Sequence, residues 1–197
     1  MKLLFVNCCI SQRGTGSRTH TLADAFLTAF QASHPGAEAE EVTPEALLAL
    51  KPFDAEMLDR RDALAKAGDF SAPVYALAQQ FRAADAVVVA APFWDLSYPA
   101  ALRTYIEYIS AVGLTYHYTD TGCCGDCAAE HLVYLTSGGD VEREDSVGVV
   151  HWRQLAAMFG IPRFDYVFAG GLDAHPDIAG DTLAAACALA GTLAKTL

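Results

Sequence analysis

Three segments of this chain carry residues whose types and spacing suit the binding of a flat ligand with an anionic end. The longest runs Ala91-Pro92-Phe93-Trp94-Asp95-Leu96-Ser97-Tyr98-Pro99. Proline stiffens the backbone, and rings with few rotatable bonds make a rigid wall for a planar group. A second segment, from Cys9 to His20, holds Gly14 and Gly16 followed by Ser17, Arg18 and Thr19. Glycine permits a tight turn, and the free N–H groups of a helix start attract an anion, helped here by two hydroxyls and a guanidinium. The third is Ser137-Gly138-Gly139-Asp140, where adjacent glycines let the backbone approach a planar ligand closely. Taken singly, each also suits an ordinary connection: core aromatics at a strand-to-helix turn, an N-capped helix, a plain turn.

Rival chemistries can be tested against the letters. A dinucleotide loop would need a third glycine where Thr19 stands, and a Walker loop would need a lysine that the segment lacks. A phosphatase loop pairs a nucleophilic cysteine with an arginine, but Cys8 and Cys9 would meet Gly14 and Thr15 at that spacing. Cys123, Cys124 and Cys127 crowd one stretch, and Cys124-x-x-Cys127 has the spacing shared by redox dithiols and zinc knuckles. A structural zinc needs a second pair that the chain does not contain, so these read as loop thiols, with a redox dithiol or a metal site as alternatives. No Ser-His-Asp order or paired carboxylates stand out, so no side chain is assigned as catalytic.

The elements that must position the three segments follow from periodicity. Apolar stretches over residues 2–8, 86–90 and 131–136 read as strands buried on both faces. Shorter strands are expected at 38–42 and 166–169. Helices are expected over 17–32, over 71–84 with Ser71 as N-cap, over 99–112, over 146–159 with Gly160 as the stop, and over 180–196. Residues 44–69 read as an irregular excursion with helical pieces. Strands alternating with helices imply an α/β three-layer sandwich around a parallel sheet. Five strands suit the flavodoxin-like order 2-1-3-4-5, whose ligand crevice lies at the carboxyl ends of strands 1 and 3. The first two segments leave those two ends.

The 197 residues suit one domain, residues 1–197, and 53% of them are hydrophobic, enough for a sizeable core. A formal net charge of −11 argues against a nucleic-acid partner, which needs a basic face. No apolar run approaches a membrane span, and the opening residues are too soon interrupted by Asn7 for a secretory signal. A cytoplasmic location is therefore expected, and thiol-rich stretches suit its reducing conditions.

The three segments together resemble the flavodoxin-like NAD(P)H-dependent oxidoreductases, the family of FMN-dependent azoreductases and quinone reductases. The likeness extends over most of residues 2–169. It implies that Pro92, Phe93, Trp94, Asp95 and Leu96 hold the flavin ring, and that Ser17, Arg18 and Thr19 hold the FMN phosphate. Cys9 falls where many members have serine, and Asp95 where azoreductases usually carry asparagine. Ser137, Gly138 and Gly139 match the loop that wraps the flavin edge. Residues 114–122 resemble a segment that projects toward a partner subunit, so Tyr116 and Tyr118 would flank an acceptor in a homodimer. The resemblance implies an enzyme passing hydride from NAD(P)H through FMN to a quinone, azo or similar acceptor. A flavodoxin-type electron carrier is the alternative, which the acidic charge suits.

Overall fold

The computed structural model describes residues 1–11, 13–140 and 145–197; Gln12, part of the anion-loop reading, lies outside them. In chain order the first half holds β1 (Lys2–Asn7), α1 (Arg18–Ser33), β2 (Glu38–Val42), α2 (Pro44–Ala49), α3 (Ala55–Lys66), α4 (Ala76–Arg82) and β3 (Ala86–Ala90). The second half holds α5 (Ala100–Ile109), β4 (Tyr116–Thr119), β5 (Gly122–Gly125), β6 (His131–Ser137), α6 (Val147–Phe159), β7 (Arg163–Ala169) and α7 (Ala179–Ala194).

The main sheet is parallel and ordered β2-β1-β3-β6-β7. This corrects the expected bare 2-1-3-4-5 numbering, which left β4 and β5 out of the count. Those two strands pair with each other as an antiparallel ribbon outside the main sheet. Their Gly-Cys-Cys-Gly half carries no β-branched residue, so Cys123 and Cys124 lie in a strand that propensity does not signal.

The sheet is covered on both faces because its strands are apolar at consecutive positions. Leu3, Phe5 and Val88 pack with Leu22, Phe26 and Phe30 of α1 on one face. Leu4, Val6, Val87 and Val89 pack with Tyr105 of α5 and Trp152 of α6 on the other. α7 lies against α1 through Ala186, Ala190 and Ala194, small residues at one-turn spacing that let two helices approach.

Three boundaries depart from expectation for identifiable reasons. Ser71 does not cap a helix: its amide and hydroxyl both donate to Asp69 Oδ1, and Pro73 has no N–H to offer a cap. A 3₁₀ turn over Pro73–Tyr75 leads into α4 instead. α5 ends at Ile109, whose carbonyl accepts from the Thr115 hydroxyl at 2.7 Å. β7 starts at Arg163 because the polar Arg163 and Asp165 continue the register opposite His131 and Val133.

His131 is almost completely buried; its Nε2 lies 2.8 Å from Asp165 Oδ2, and its Nδ1 has no partner. Burial pushes this imidazole below its ordinary value, Arg163 adds to the effect, and Asp165 opposes it. A folded value below the unfolded one means the neutral form is favoured on folding. Stability is therefore full above about pH 6.5 and is lost as pH falls through the folded value. Thermal midpoints measured across pH 7.5 to 5 are expected to fall on the acid side, and His131→Gln is expected to flatten that fall.

Candidate functional site

The strands' carboxyl ends are extended by single hydrogen bonds that march the connections across one edge. Cys8 N–H donates to Ala90 O at 2.8 Å, Ala91 N–H to Leu135 O at 3.0 Å, Phe93 N–H to Ser137 O at 2.9 Å, and Gly138 N–H to Ala169 O at 3.0 Å. These bonds bring the three singled-out segments to one cleft of about 230 Å³.

At its polar end stand Ser11, Arg13, Ser17 and Arg18, around the start of α1. Ser17 is the N-cap and accepts from His20 N–H at 3.4 Å, and no acidic residue occupies the first turn. N–H groups of a first turn have no intrahelical partner and carry partial positive charge, so an anion is favoured there. Thr19 is also in the lining, but its hydroxyl is buried 2.6 Å from the Ser137 hydroxyl. That contact ties α1 to the end of β6 and commits both groups to the fold.

The apolar end is Pro92, Phe93 and Trp94. Phe93 packs on Phe168, ring centroids 5.2 Å apart, with Gly138 against both rings: a Cβ there would sit 3.1 Å from Phe93 and 3.0 Å from Phe168. Gly138 thus lets the connection after β6 pass flush against the aromatic pair. Behind the loop, Tyr98 is buried, its hydroxyl 2.5 Å from His151 Nδ1 on α6. Burial raises the Tyr98 phenol to about 12 and lowers the His151 imidazole, so both are neutral at pH 7.

Asp95 and Leu96 form the tip of the loop with φ of 50° and 62°. Trp94 and Ser97 exchange backbone hydrogen bonds at 3.2 and 2.8 Å, closing a two-residue hairpin turn of the I′ kind. Aspartate tolerates the left-handed region; leucine is strained there by about 1 kcal/mol. Leu96 is 72% exposed, so little burial offsets that strain. Leu96→Asn is expected to raise stability by about 0.5 to 1 kcal/mol and Leu96→Val to lower it, as urea titration would read.

Of the residues singled out from sequence, Ser17, Arg18, Thr19, Pro92, Phe93, Trp94, Ser137, Gly138 and Gly139 line the cleft. Cys9, Asp95, Leu96, Tyr116 and Tyr118 are not in that lining. Cys9 is packed beneath α1 in the core, and burial pushes its thiol up to about 12 against a lowering contact with Ser17. Tyr116 and Tyr118 share one face of β4, ring centroids 5.8 Å apart and edge-on. Their hairpin docks on Phe159 and Gly160 at the end of α6, just before β7 begins at the sheet's other edge. No group of three or more His, Cys, Asp or Glu among the described residues is placed to hold a metal ion.

One residue of the lining and one behind it had no local signal. Asp173, in the connection after β7, bridges back to Arg18. Phe168 backs Phe93 from the last strand. Arg13 was legible as a charge beside Gly14 but carried no motif.

The cleft fits a planar ring with an anionic tail: a helix start and arginines at one end, an aromatic wall at the other, and a glycine edge where side chains would intrude. The Flavodoxin-like fold family matches residues 1–192. An FMN-dependent NADH:quinone oxidoreductase 2 of Clostridium acetobutylicum is 30% identical over 187 residues, 87% of each chain. An FMN-dependent NADH:quinone oxidoreductase of Pectobacterium atrosepticum is 28% identical over 175 residues, 83% of this chain and 84% of that one. A crystal structure of an azoreductase from Bacillus anthracis strain Sterne superposes with a TM-score of 0.86 at 26% identity, covering 100% of both chains. The chain belongs to the Flavodoxin-like fold family, with FMN-dependent NADH:quinone oxidoreductases among its relatives.

Proposed function

We propose that this protein is a single-domain FMN-dependent oxidoreductase that takes electrons from NAD(P)H and passes them to a quinone or azo acceptor. The observation that carries the reading is the convergence, in one cleft, of the α1 start, the Phe93-Trp94 wall and the Gly138-Gly139 edge. When bound, FMN supplies the two-electron chemistry, which explains why the cleft needs no acid-base pair. Ser17 and Arg18 bind the phosphate, with Arg13 adding charge. Thr19 contributes its first-turn N–H, since its hydroxyl is engaged by Ser137. Pro92, Phe93 and Trp94 orient the ring and exclude water from one face, and Ser137, Gly138 and Gly139 border its edge. Asp95 and Leu96 act through the turn that holds Trp94, and Cys9 by supporting Ser17 from below.

The relatives' names support FMN and NADH, and they support a quinone acceptor. No helix among the described residues is long and apolar enough to cross a membrane. Six free thiols and a nicotinamide donor suit a cytoplasmic enzyme. Tyr116 and Tyr118 do not line the cleft of their own chain, and Tyr118 is 68% exposed. A homodimer that presents this pair to the second copy's cleft gives them a role and covers the exposed Leu58 and Val112. Light scattering at micromolar concentration is expected to give twice the 21.0 kDa chain mass.

The decisive test is titration of the apo-protein with FMN, followed by NADH and NADPH oxidation with a benzoquinone and an azo dye. Saturable quenching of FMN fluorescence and acceptor-dependent turnover are expected. Flavin binding without turnover of any acceptor would favour an electron carrier, which the net charge of −11 suits. Unchanged FMN fluorescence would overturn the reading.

A further inference from the structure

One contact in the cleft is not used by the proposed chemistry. Arg18, the first residue of α1, donates through Nη1 to Asp173 Oδ1 at 2.8 Å and through Nη2 to Asp173 Oδ2 at 3.2 Å. This two-pronged geometry is the one a guanidinium offers to a carboxylate or to a phosphate, so the two anions compete for the same face. Asp173 is held where it stands. Its N–H donates to Gly139 O at 3.1 Å, and the N–H of Ala174 donates to the same carbonyl at 2.9 Å. Gly139 leaves the space that the carboxylate fills: a Cβ there would overlap Asp173 Oδ2. The Arg18 side chain holds the Asp173 carboxyl below the ordinary range, with Arg13 adding to the effect, so the group is ionised at neutral pH. A negative charge therefore sits in the lining of a cleft whose helix start is otherwise free of acidic residues.

We propose that Asp173 is a specificity-determining competitor for the phosphate end of the ligand: its carboxylate occupies the Arg18 fork, and a phosphate monoester binds by taking that fork from it. The proposal rests on the reading that the cleft holds FMN by its phosphate. Two consequences follow. The phosphate adds less to FMN affinity than the helix start and arginines alone would provide. Ligands with a weaker anion, or none, do not displace the carboxylate and gain nothing from Arg18. The Asp173 side chain is 70% exposed, so solvent screens the competition and the expected effect is several-fold rather than orders of magnitude.

The test compares FMN with riboflavin, which lacks the phosphate, by fluorescence quenching on apo wild type, Asp173→Asn, Arg18→Gln and the double variant. Asp173→Asn keeps the side-chain shape and the backbone bonds to Gly139. It is expected to tighten FMN about fivefold at low salt and to change riboflavin less than twofold. The gain should shrink in 0.5 M salt and vanish in the Arg18→Gln background, which a loop rearrangement alone would not produce. Asp173→Asn that weakens FMN, leaves it unchanged, or tightens both flavins equally would overturn the proposal while the FMN reading stands. Wild type that binds neither flavin would overturn the FMN reading, and this proposal with it.

Discussion

Gly125→Ala is expected to lower stability by more than about 3 kcal/mol, or to prevent folding. Gly125 ends β5 and lies against the turn that closes α6, where a Cβ would overlap the backbone of Phe159 and Gly160. Backbone cannot swing aside as a flexible side chain can. The turn has no slack either: Gly160 caps α6 at φ 78°, and Phe159 O accepts from Cys127 N–H at 3.2 Å. Relief would require the β4-β5 ribbon to lift from the helix and break that bond. Urea titration reads the loss of stability, and Gly122→Ala serves as a control, since nothing lies within 4 Å of its Cβ position and only its φ of 129° is strained.

Arg18→Glu is expected to weaken FMN binding by about 100-fold or more. The substitution removes a charge-assisted donor and puts a carboxylate beside Asp173 at the end of the cleft proposed for the phosphate. Its cost to folding should be small, because the pair it breaks is on the surface. Fluorescence titration of FMN and riboflavin separates the two effects: a large loss for FMN with little change for riboflavin is the expected pattern. Equal losses for both would place the damage in the cleft's shape instead of its charge.

Much of the architecture is legible in the sequence because the sheet is buried on both faces. Runs such as Ala86–Ala90 are apolar at every position, and that pattern does not depend on distant partners. The start of α1 was legible for a similar reason, since glycines followed by serine report a local backbone requirement. What was not legible depends on contacts between distant residues. Arg163 and Asp165 look like loop residues until the register opposite β6 draws them into a strand. Ser71 reads as a cap until Pro73, which lacks an N–H, and Asp69, which accepts from the Ser71 amide and hydroxyl, are taken together. Thr19 reads as a phosphate donor until Ser137, 118 residues away, takes its hydroxyl. Asp173 reaches Arg18 across 155 residues, and no window along the chain contains both.

The turn at Asp95 and Leu96 also bears on how quickly and how selectively the cleft can fill. Because Trp94 and Ser97 are tied by reciprocal backbone bonds, and Phe93 N–H is anchored to Ser137 O, the backbone that carries the aromatic wall is set when the chain folds. A ligand arriving there meets little conformational entropy still to be lost, so shape is selected and not induced. The width of the slot becomes a property of the strand ends. On the reading that this cleft takes a flat ring, planar aromatic systems should be favoured there over puckered or bulky ones. Substitutions that loosen the turn should therefore widen the range of ligands accepted and lower the affinity for each.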